Sequence, residues 1–426
     1  MKKKSICILG LGYIGLPTAV MFANHGHRVH GVDVNEFVVE SIRNKKLHIE
    51  ENELPERLTD AIDSGRFTVS TEPEEADVFI LAVPSPIQED KTANVEYIRQ
   101  AAHSIVPYVQ KGNLVILEST VPPRTVMDVV VPEIAKTGYK IGEEVFVSHS
   151  PERVIPGKVF EELKTNDRII GGVGEEAARQ TSELYRSFVE GKLHETDATT
   201  AELVKVMENT YRDVNIALAN ELAKLAGRIG VDIWEAIKLA NYHPRVNIHL
   251  PGPGVGGHCI AVDPWFLVSL DPDQAKLIHT ARQINDGMPT YTANFTTTIL
   301  DAKDIDEPKI AALGLAFKGN IDDMRESPSL DVIAQLKGLG KHVVAFDPHM
   351  KENSHDDQVM TEEEAFRDAD ALVILTDHQA FIDLDPNEVK RLVRTPVIID
   401  TKNCIDRNRW EDAGFSVYVL GNSKNN

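Results

Sequence analysis

A thiol at the end of a glycine-rich loop is the group in this chain best suited to covalent chemistry. Gly252-Pro253-Gly254-Val255-Gly256-Gly257-His258-Cys259 runs on into Ile260-Ala261-Val262-Asp263-Pro264. Glycines at this density cost backbone entropy and leave the main chain uncovered, so that a ligand can come close. A lone cysteine is most often a small buried apolar residue, and Cys7, inside an apolar run, and Cys404 are read that way. Cys259 is read as a nucleophile because the glycine cradle and Asp263 stand beside it. Lys205 and Asn209 are four residues apart and so share one face of a helix. Taken alone, that pair would be a solvated face.

The second constellation is Gly10-Leu11-Gly12-Tyr13-Ile14-Gly15, which follows an apolar strand and opens a helix. In that context the first glycine permits a tight turn, the second lets backbone approach a pyrophosphate, and the third lets helix pack on strand. The unpaired N–H groups of the helix start then face the phosphates. Asp33 ends the next apolar run, where a carboxylate accepts both ribose hydroxyls and repels a 2′-phosphate, so NAD is expected over NADP.

The elements that must position these groups are legible as alternation. Short apolar runs at Ile6–Leu9, Arg28–Val32, Val78–Val83, Leu114–Glu118, Val145–Val147 and Arg168–Ile170 read as strands, with amphipathic segments such as Ile14–Asn24 and Val95–Val109 between them. This is the pattern of βαβ units and a parallel sheet. Thr199–Ile229 carries apolar residues at helical spacing and no proline, which predicts one long helix. A Pro/Gly-rich stretch, a helical stretch near Asp273–Asp286 and an acidic linker Asp301–Pro308 follow. Strands then return at Ile310–Phe317, His342–Phe346, Ala371–Thr376 and Val397–Asp400, with a helix at Leu330–Leu339. The expected fold class is α/β: two Rossmann-like parallel-sheet domains joined by a long central helix and a small helical domain. The boundaries are set at 1–196, 197–300 and 301–426.

Length and charge bound the function. At 426 residues the chain exceeds one core. A net charge of −21 argues against nucleic acid or anionic membrane as the main partner and for a small-molecule ligand. Three widely spaced cysteines give neither a disulfide framework nor a zinc site, and a reducing cytoplasm is expected. The Met1-Lys2-Lys3-Lys4 start superficially looks like a signal peptide, but its apolar run is broken by Gly10, Gly12 and Gly15. No stretch has the length of a membrane-spanning helix.

Several motifs in order resemble the nucleotide-sugar 6-dehydrogenases, the family of UDP-glucose, GDP-mannose and UDP-N-acetylhexosamine dehydrogenases. They are Gly10–Gly15, Ser119-Thr120-Val121-Pro122-Pro123, Ser150-Pro151-Glu152-Arg153, Lys205 with Glu208-Asn209-Thr210, the Gly252–Asp263 loop, and Phe317-Lys318-Gly319 continuing to Asp322-Asp323-Met324-Arg325-Glu326-Ser327-Pro328. The resemblance implies a four-electron oxidation of a sugar C6 alcohol to a carboxylate with two NAD+ per turnover, through a thiohemiacetal and a thioester on Cys259. It implies that Lys205 stabilises an oxyanion, Asn209 holds the reacting oxygen, Asp263 works with water as a base, and Thr120 and Glu152 support the water and thioester steps. On the same ground Tyr13, Ile14, Pro84, Thr120 and Arg325 are expected near the cofactor, and Glu152, Arg153, Gly256, His258, Phe317 and Lys318 near the substrate. Glu152 taken alone could equally be an exposed carboxylate, and Lys318 and Arg325 surface charges.

In the UDP-glucose and GDP-mannose branches the residue before Cys259 is typically serine and the one before Asp263 lysine; here they are His258 and Val262. His258 with Asp263-Pro264-Trp265-Phe266 resembles the N-acetylhexosamine branch. His243-Pro244-Arg245-Val246-Asn247 leading into the glycine loop resembles the UDP-N-acetylmannosamine enzymes within it. Arg245 is therefore a candidate substrate contact, against an ordinary loop arginine. Long helices that link domains often form subunit interfaces, so a homodimer or higher homo-oligomer is expected. Arg124 stands where many relatives carry glycine. The alternatives are a UDP-N-acetylglucosamine or UDP-glucose 6-dehydrogenase, a dehydrogenase that stops after one hydride and needs no thiol, and a non-catalytic binder of NAD or UDP-sugar.

Overall fold

The computed structural model describes residues 3–422 except 50, 156 and 306. The chain forms two compact units: one holds the chain up to Glu208 together with Trp265–Asp271, the other Asn209–Pro264 and everything from Pro272 onward.

The first unit is built on eight strands, β1 (Ser5–Leu9), β2 (Arg28–Val32), β3 (Phe67–Ser70), β4 (Val78–Leu81), β5 (Leu114–Leu117), β6 (Phe146–His149), β7 (Arg168–Gly172) and β8 (Leu193–Asp197). Their order is β3-β2-β1-β4-β5-β6-β7-β8. The central strands are uninterrupted apolar runs because helices cover both faces of the sheet. Ile6 and Ile8 enter the core on one side and Cys7 and Leu9 the core on the other, as a period of two requires. Leu9 is level with Val32 and with Leu81, so the chain leaves β1, β2 and β4 at one edge. There the strand order reverses, the place where doubly wound sheets bind ligands.

The second unit contains a five-stranded all-parallel sheet of β9 (Lys309–Leu313), β10 (His342–Phe346), β11 (Ala371–Ile374), β12 (Val397–Asp400) and β13 (Ser416–Val419), in the order β10-β9-β11-β12-β13. Its helical part includes Ile233–Ala240, Lys276–Asp286 and Met288–Asp301. One uninterrupted helix, Ala198–Ile229, contributes to both units and ends at Gly230, whose φ of +73° breaks the helical path.

The expected α/β class with two parallel-sheet layers and a long central helix is what the structure contains. It differs in four places. β6 and β7 pair antiparallel, Ser148 opposite Gly172, because the segment between them runs back as the short helix Val159–Thr165 instead of crossing over. β9 stops at Leu313, four residues before the expected end, because Gly314 takes a φ of +104°. The acidic stretch read as linker begins inside a helix, since Met288–Asp301 carries helical structure up to Asp301. Three edge strands, β3, β8 and β13, lie outside the expected runs; β8 (Leu-His-Glu-Thr-Asp) is polar and packs only the half-buried Leu193 against the core.

Candidate active site

Two of the three fingerprint glycines are fixed by the protein itself. Gly10 has φ +91°, donates its N–H to the Val32 carbonyl at 2.8 Å, and a Cβ there would lie 2.5 Å from the Ala82 carbonyl oxygen. A Cβ on Gly15 would fall on the carbonyl oxygen of Gly10. A Cβ on Gly12 would meet nothing within 4 Å. The middle glycine therefore faces open space, as a cradle for a pyrophosphate must. Leu11 donates its N–H to Asp33 Oδ2 at 3.0 Å and Asn35 donates to Oδ1 at 2.9 Å, so the half-exposed carboxylate is already aimed at the turn. Tyr13 and Pro84 are exposed beside the open edge of the sheet. These residues fit a dinucleotide.

The loops after β4 and β5 are tied together. Ser119 donates its hydroxyl to the Val83 carbonyl at 2.6 Å, and Ser85 donates to the Thr120 carbonyl. Thr120 is half-buried in this loop. The buried Glu202 carboxylate, on the long helix, accepts the backbone N–H groups of Arg124 at 2.6 Å and Val126 at 2.7 Å. Arg124 has φ +77°, the left-handed region that favours glycine. Its side chain pairs with Asp128 on the surface.

Glu152 is not an exposed carboxylate. It is buried and ion-paired to Arg168, which also donates to Ser150 at 3.0 Å and to Glu118 at 3.3 Å and lies 4.3 Å above the Tyr185 ring. Tyr185 donates its hydroxyl to Glu118. Burial pushes the Glu118 carboxyl up to about 7, with Arg168 opposing. Arg153, the neighbour of Glu152, holds Glu208 on the long helix with Nη2 at 2.7 Å and Nε at 3.0 Å, a two-pronged pair. Lys205 is half-buried on the same helix.

In the second unit Cys259 closes a turn. Its carbonyl accepts the N–H groups of Val262 at 3.0 Å and Asp263 at 2.8 Å, and Asp263 begins the helix Asp263–Leu270. Cys259 is half-buried and His258 exposed. Asp263 is buried, and Asn209 donates its Nδ2 to Asp263 Oδ2 at 2.6 Å. The glycine loop is pressed against protein more closely than a ligand cradle alone would need. A Cβ on Gly254 would lie 2.5 Å from Pro328; on Gly256, 2.5 Å from the Glu326 carbonyl; on Gly257, 2.9 Å from the Phe317 ring. Phe317 thus packs on the loop that carries the thiol. Lys318 and Arg325 are exposed, and Arg325 is held by Asp323 at 2.6 Å. Burial pushes the Asp323 carboxyl up, but hydrogen bonds from Arg325 bring it below the ordinary range. Arg245 is exposed in a loop.

The structure therefore brings Gly10, Gly12, Gly15 and Asp33 into one turn, and Asn209 and Asp263 into contact beside the Cys259 turn. It adds Glu118, Arg168, Tyr185 and Glu202, which spacing along the chain does not reveal because each partner comes from a different element. Val34, 93% exposed, and Phe37, 69% exposed, next to Asp33 are apolar groups at the cofactor edge; an unpaired apolar residue immediately after the fingerprint carboxylate was the signal available for them.

No helix among the described residues is long and apolar enough to cross a membrane. Residues 4–189, 199–287 and 311–407 match, respectively, the NAD binding domain, the central domain and the UDP binding domain of the UDP-glucose/GDP-mannose dehydrogenase family. A UDP-N-acetyl-D-mannosamine dehydrogenase of Methanococcus maripaludis is 47% identical over 98% of this chain and 97% of its own. An NDP-N-acetyl-D-galactosaminuronic acid dehydrogenase of Ralstonia solanacearum is 43% identical, with 94% and 96% covered. The structure of a UDP-D-ManNAc dehydrogenase from Pyrococcus horikoshii superposes with a TM-score of 0.92 at 42% identity, over 99% of this chain and 100% of that one. The open glycine cradle beside Asp33 and these matches along nearly the whole length agree: the chain is an NAD-dependent oxidoreductase and belongs to the UDP-glucose/GDP-mannose dehydrogenase family.

Proposed function

We propose that the protein oxidises the C6 alcohol of UDP-N-acetyl-D-mannosamine to the carboxylate, with Cys259 carrying the sugar between two oxidations. The observation that carries the reading is the Cys259 turn: one loop fixes the thiol, and the same turn fixes Asp263, whose carboxylate Asn209 holds. Bound NAD+ supplies the hydride acceptor. The alcohol gives up a hydride and a proton and becomes an aldehyde. An aldehyde carbon becomes a ready hydride donor once a nucleophile makes it tetrahedral, so the Cys259 sulfur adds to it and forms a thiohemiacetal. Loss of a second hydride and a proton leaves a thioester. Water then adds to the thioester carbon, the C–S bond breaks, and the sulfur leaves with a proton.

In this reading Lys205 stabilises the developing oxyanion, Asn209 orients the reacting oxygen, and Asp263 takes a proton from water. Thr120 and Glu152 serve the hydrolytic step; Glu152 does so as an anion held by Arg168. Arg153, Arg245, Gly256, His258, Phe317 and Lys318 face the nucleotide sugar, and Tyr13, Ile14, Pro84 and Arg325 the cofactor.

The sugar is assigned from His258 before the thiol and from the names of the relatives. NADH formation against UDP-N-acetylmannosamine, UDP-N-acetylglucosamine, UDP-N-acetylgalactosamine, UDP-glucose and GDP-mannose tests it: the highest kcat/KM belongs to the mannosamine compound, and a preference for any other overturns the substrate. The galactosamine compound is included because the Ralstonia relative is named for a galactosaminuronic acid.

Asp33→Ser should weaken NAD binding about ten-fold, on the order of 1.4 kcal/mol, and admit NADP, read by calorimetry with each dinucleotide. Leu203, Met207, Tyr211, Leu218, Leu225 and Ile229 are exposed at three- to four-residue multiples along the long helix. A second copy covers this stripe. Leu218→Asp should convert a dimer to a monomer in light scattering, and a wild type that is monomeric at micromolar concentration removes the assignment.

A further inference from the structure

Four fully buried polar side chains cross the helical part of the second unit in one line. Asp213 and Asn220 come from the long helix, Arg282 and Asn285 from the helix Lys276–Asp286. Arg282 pairs with Asp213. Asn285 donates its Nδ2 to Asp213 Oδ1 at 2.8 Å and to the Asp213 carbonyl at 3.0 Å. Asn220 donates its Nδ2 to Asn285 Oδ1 at 2.9 Å. The line ends outside the helices, where Asn220 Oδ1 accepts the backbone N–H of Gly252 at 2.9 Å. Gly252 is the first glycine of the loop that ends in Cys259.

The direction of this chain is forced. An amide can offer its oxygen to Gly252 only if its nitrogen faces an acceptor on the other side. Asn285 is that acceptor because its own nitrogen is committed to Asp213. The ion pair with Arg282 holds Asp213 in turn. Burying four such groups is costly unless they are linked; Asp213 Oδ2 and Arg282 Nε make no hydrogen bond among the described residues, but each of the four side chains is tied to the next, and that favours one arrangement of the chain. A loop rich in glycine has many. The far end of the loop is pinned by close packing of Gly256 and Gly257 against Phe317 and Glu326.

We propose that Asn220, oriented through Asn285 by the Asp213–Arg282 pair, is a positioning residue that fixes Gly252 and thereby the placement of the Cys259 thiol. The proposal rests on Cys259 as the nucleophile of the reading above. Its test uses a substrate-free measurement, so the two can fail separately.

The experiment compares Asn220→Ala with wild type. Cys259 alkylation by iodoacetamide, followed by peptide mass spectrometry, should accelerate on the order of five-fold as the loop loosens. Cys7, fully buried in β1, should stay unreactive, which separates loop motion from unfolding. With substrate, kcat should fall about 30-fold while NAD affinity stays within two-fold, as expected when a reacting atom is displaced by a fraction of an ångström to an ångström. Asn285→Ala leaves Asn220 in place but removes the acceptor that its nitrogen faces, and should accelerate alkylation in the same direction. Alkylation and kcat both within two-fold of wild type in folded Asn220→Ala overturn the proposal. Should that variant not fold, hydrogen exchange on the wild-type protein decides: the Gly252 amide is protected at least about ten-fold relative to an open loop, and exchange at the open-loop rate overturns it. Failure of Cys259→Ser to alter turnover would sink the catalytic reading alone and leave the loop measurement standing.

Discussion

Cys259→Ser should lower the rate of complete oxidation by at least ~10³-fold and reduce the yield of NADH from two equivalents per sugar towards one or none. The first oxidation acts on an alcohol and does not require sulfur. The second requires a tetrahedral carbon bearing a hydrogen, and a serine hydroxyl is both a weaker nucleophile than a thiolate and a poorer leaving group from the resulting acyl intermediate. Stopped-flow absorbance with limiting UDP-N-acetylmannosamine measures both rate and stoichiometry. Two equivalents released within ten-fold of the wild-type rate would rule out the covalent route and favour a dehydrogenase that needs no thiol. NAD affinity should be unchanged, since the residues that hold the fingerprint turn all belong to the first unit and none to the Cys259 loop.

Arg168→Met should destabilise the first unit by about 3–5 kcal/mol, because it strips the countercharge from two buried carboxyls, Glu118 and Glu152, without giving either a new partner. For a unit of this size that is a melting shift on the order of 10 °C. Hydrogen exchange over β5, β6 and β7 locates it. The loss depends on pH. Glu118 sits at about 7 in the fold against an ordinary 4.5, so the fold binds more protons than the unfolded chain between those values. Its contribution is present in full below 4.5 and is lost as pH rises through about 7. Glu202, also pushed up to about 7 by burial, has the same sign. His149 and His27, brought down by burial to about 3 and about 4, have the opposite sign: they favour the fold above 6.5 and oppose it as pH falls. The wild-type stability curve is therefore flattened between pH 4.5 and 6.5. Glu118→Gln should gain stability relative to wild type on going from pH 5 to pH 8, and Arg168→Met should lose more at pH 8 than at pH 5. A pH-independent difference for both would show that Glu118 does not hold the proton.

The fingerprint turn was legible because its physics is local. A strand, three glycines, a helix start and an acidic residue at the end of the next strand all lie within 33 residues. The long helix was legible because it lacks breakers. The thiol loop was legible for a partly different reason from the one its composition suggests: Gly254, Gly256 and Gly257 admit Phe317 and Pro328 as much as they admit a ligand. Spacing could not disclose the partners of Glu152, since Arg168, Glu118 and Tyr185 are brought to it by β7, β5 and the helix Glu175–Tyr185. Nor could it disclose β8, whose polar sequence pairs with β7 at the sheet edge and offers the core only the half-buried Leu193. The reversal of β7 depends on how a short helix turns the chain, and no periodicity records that.

The second sheet repeats the start of a dinucleotide fold and then closes it. Gly314 follows β9 as Gly10 follows β1, and Asp347 follows β10 as Asp33 follows β2. Asp347 accepts the N–H groups of both Leu315 and Ala316, at 2.7 and 3.0 Å, and the ring of His378 at 2.9 Å, whereas Asp33 takes one amide of its turn, that of Leu11. The match to an NAD binding domain covers residues 4–189 and that to a UDP binding domain residues 311–407, and the proposed reaction removes two hydrides. With one NAD bound at a time, the proposed reaction would require that site to be vacated and refilled midway through the cycle. In that proposed cycle the half-oxidised sugar would be retained by a covalent bond to sulfur, so that its escape would be governed by bond strength and not by how tightly the protein grips the nucleotide.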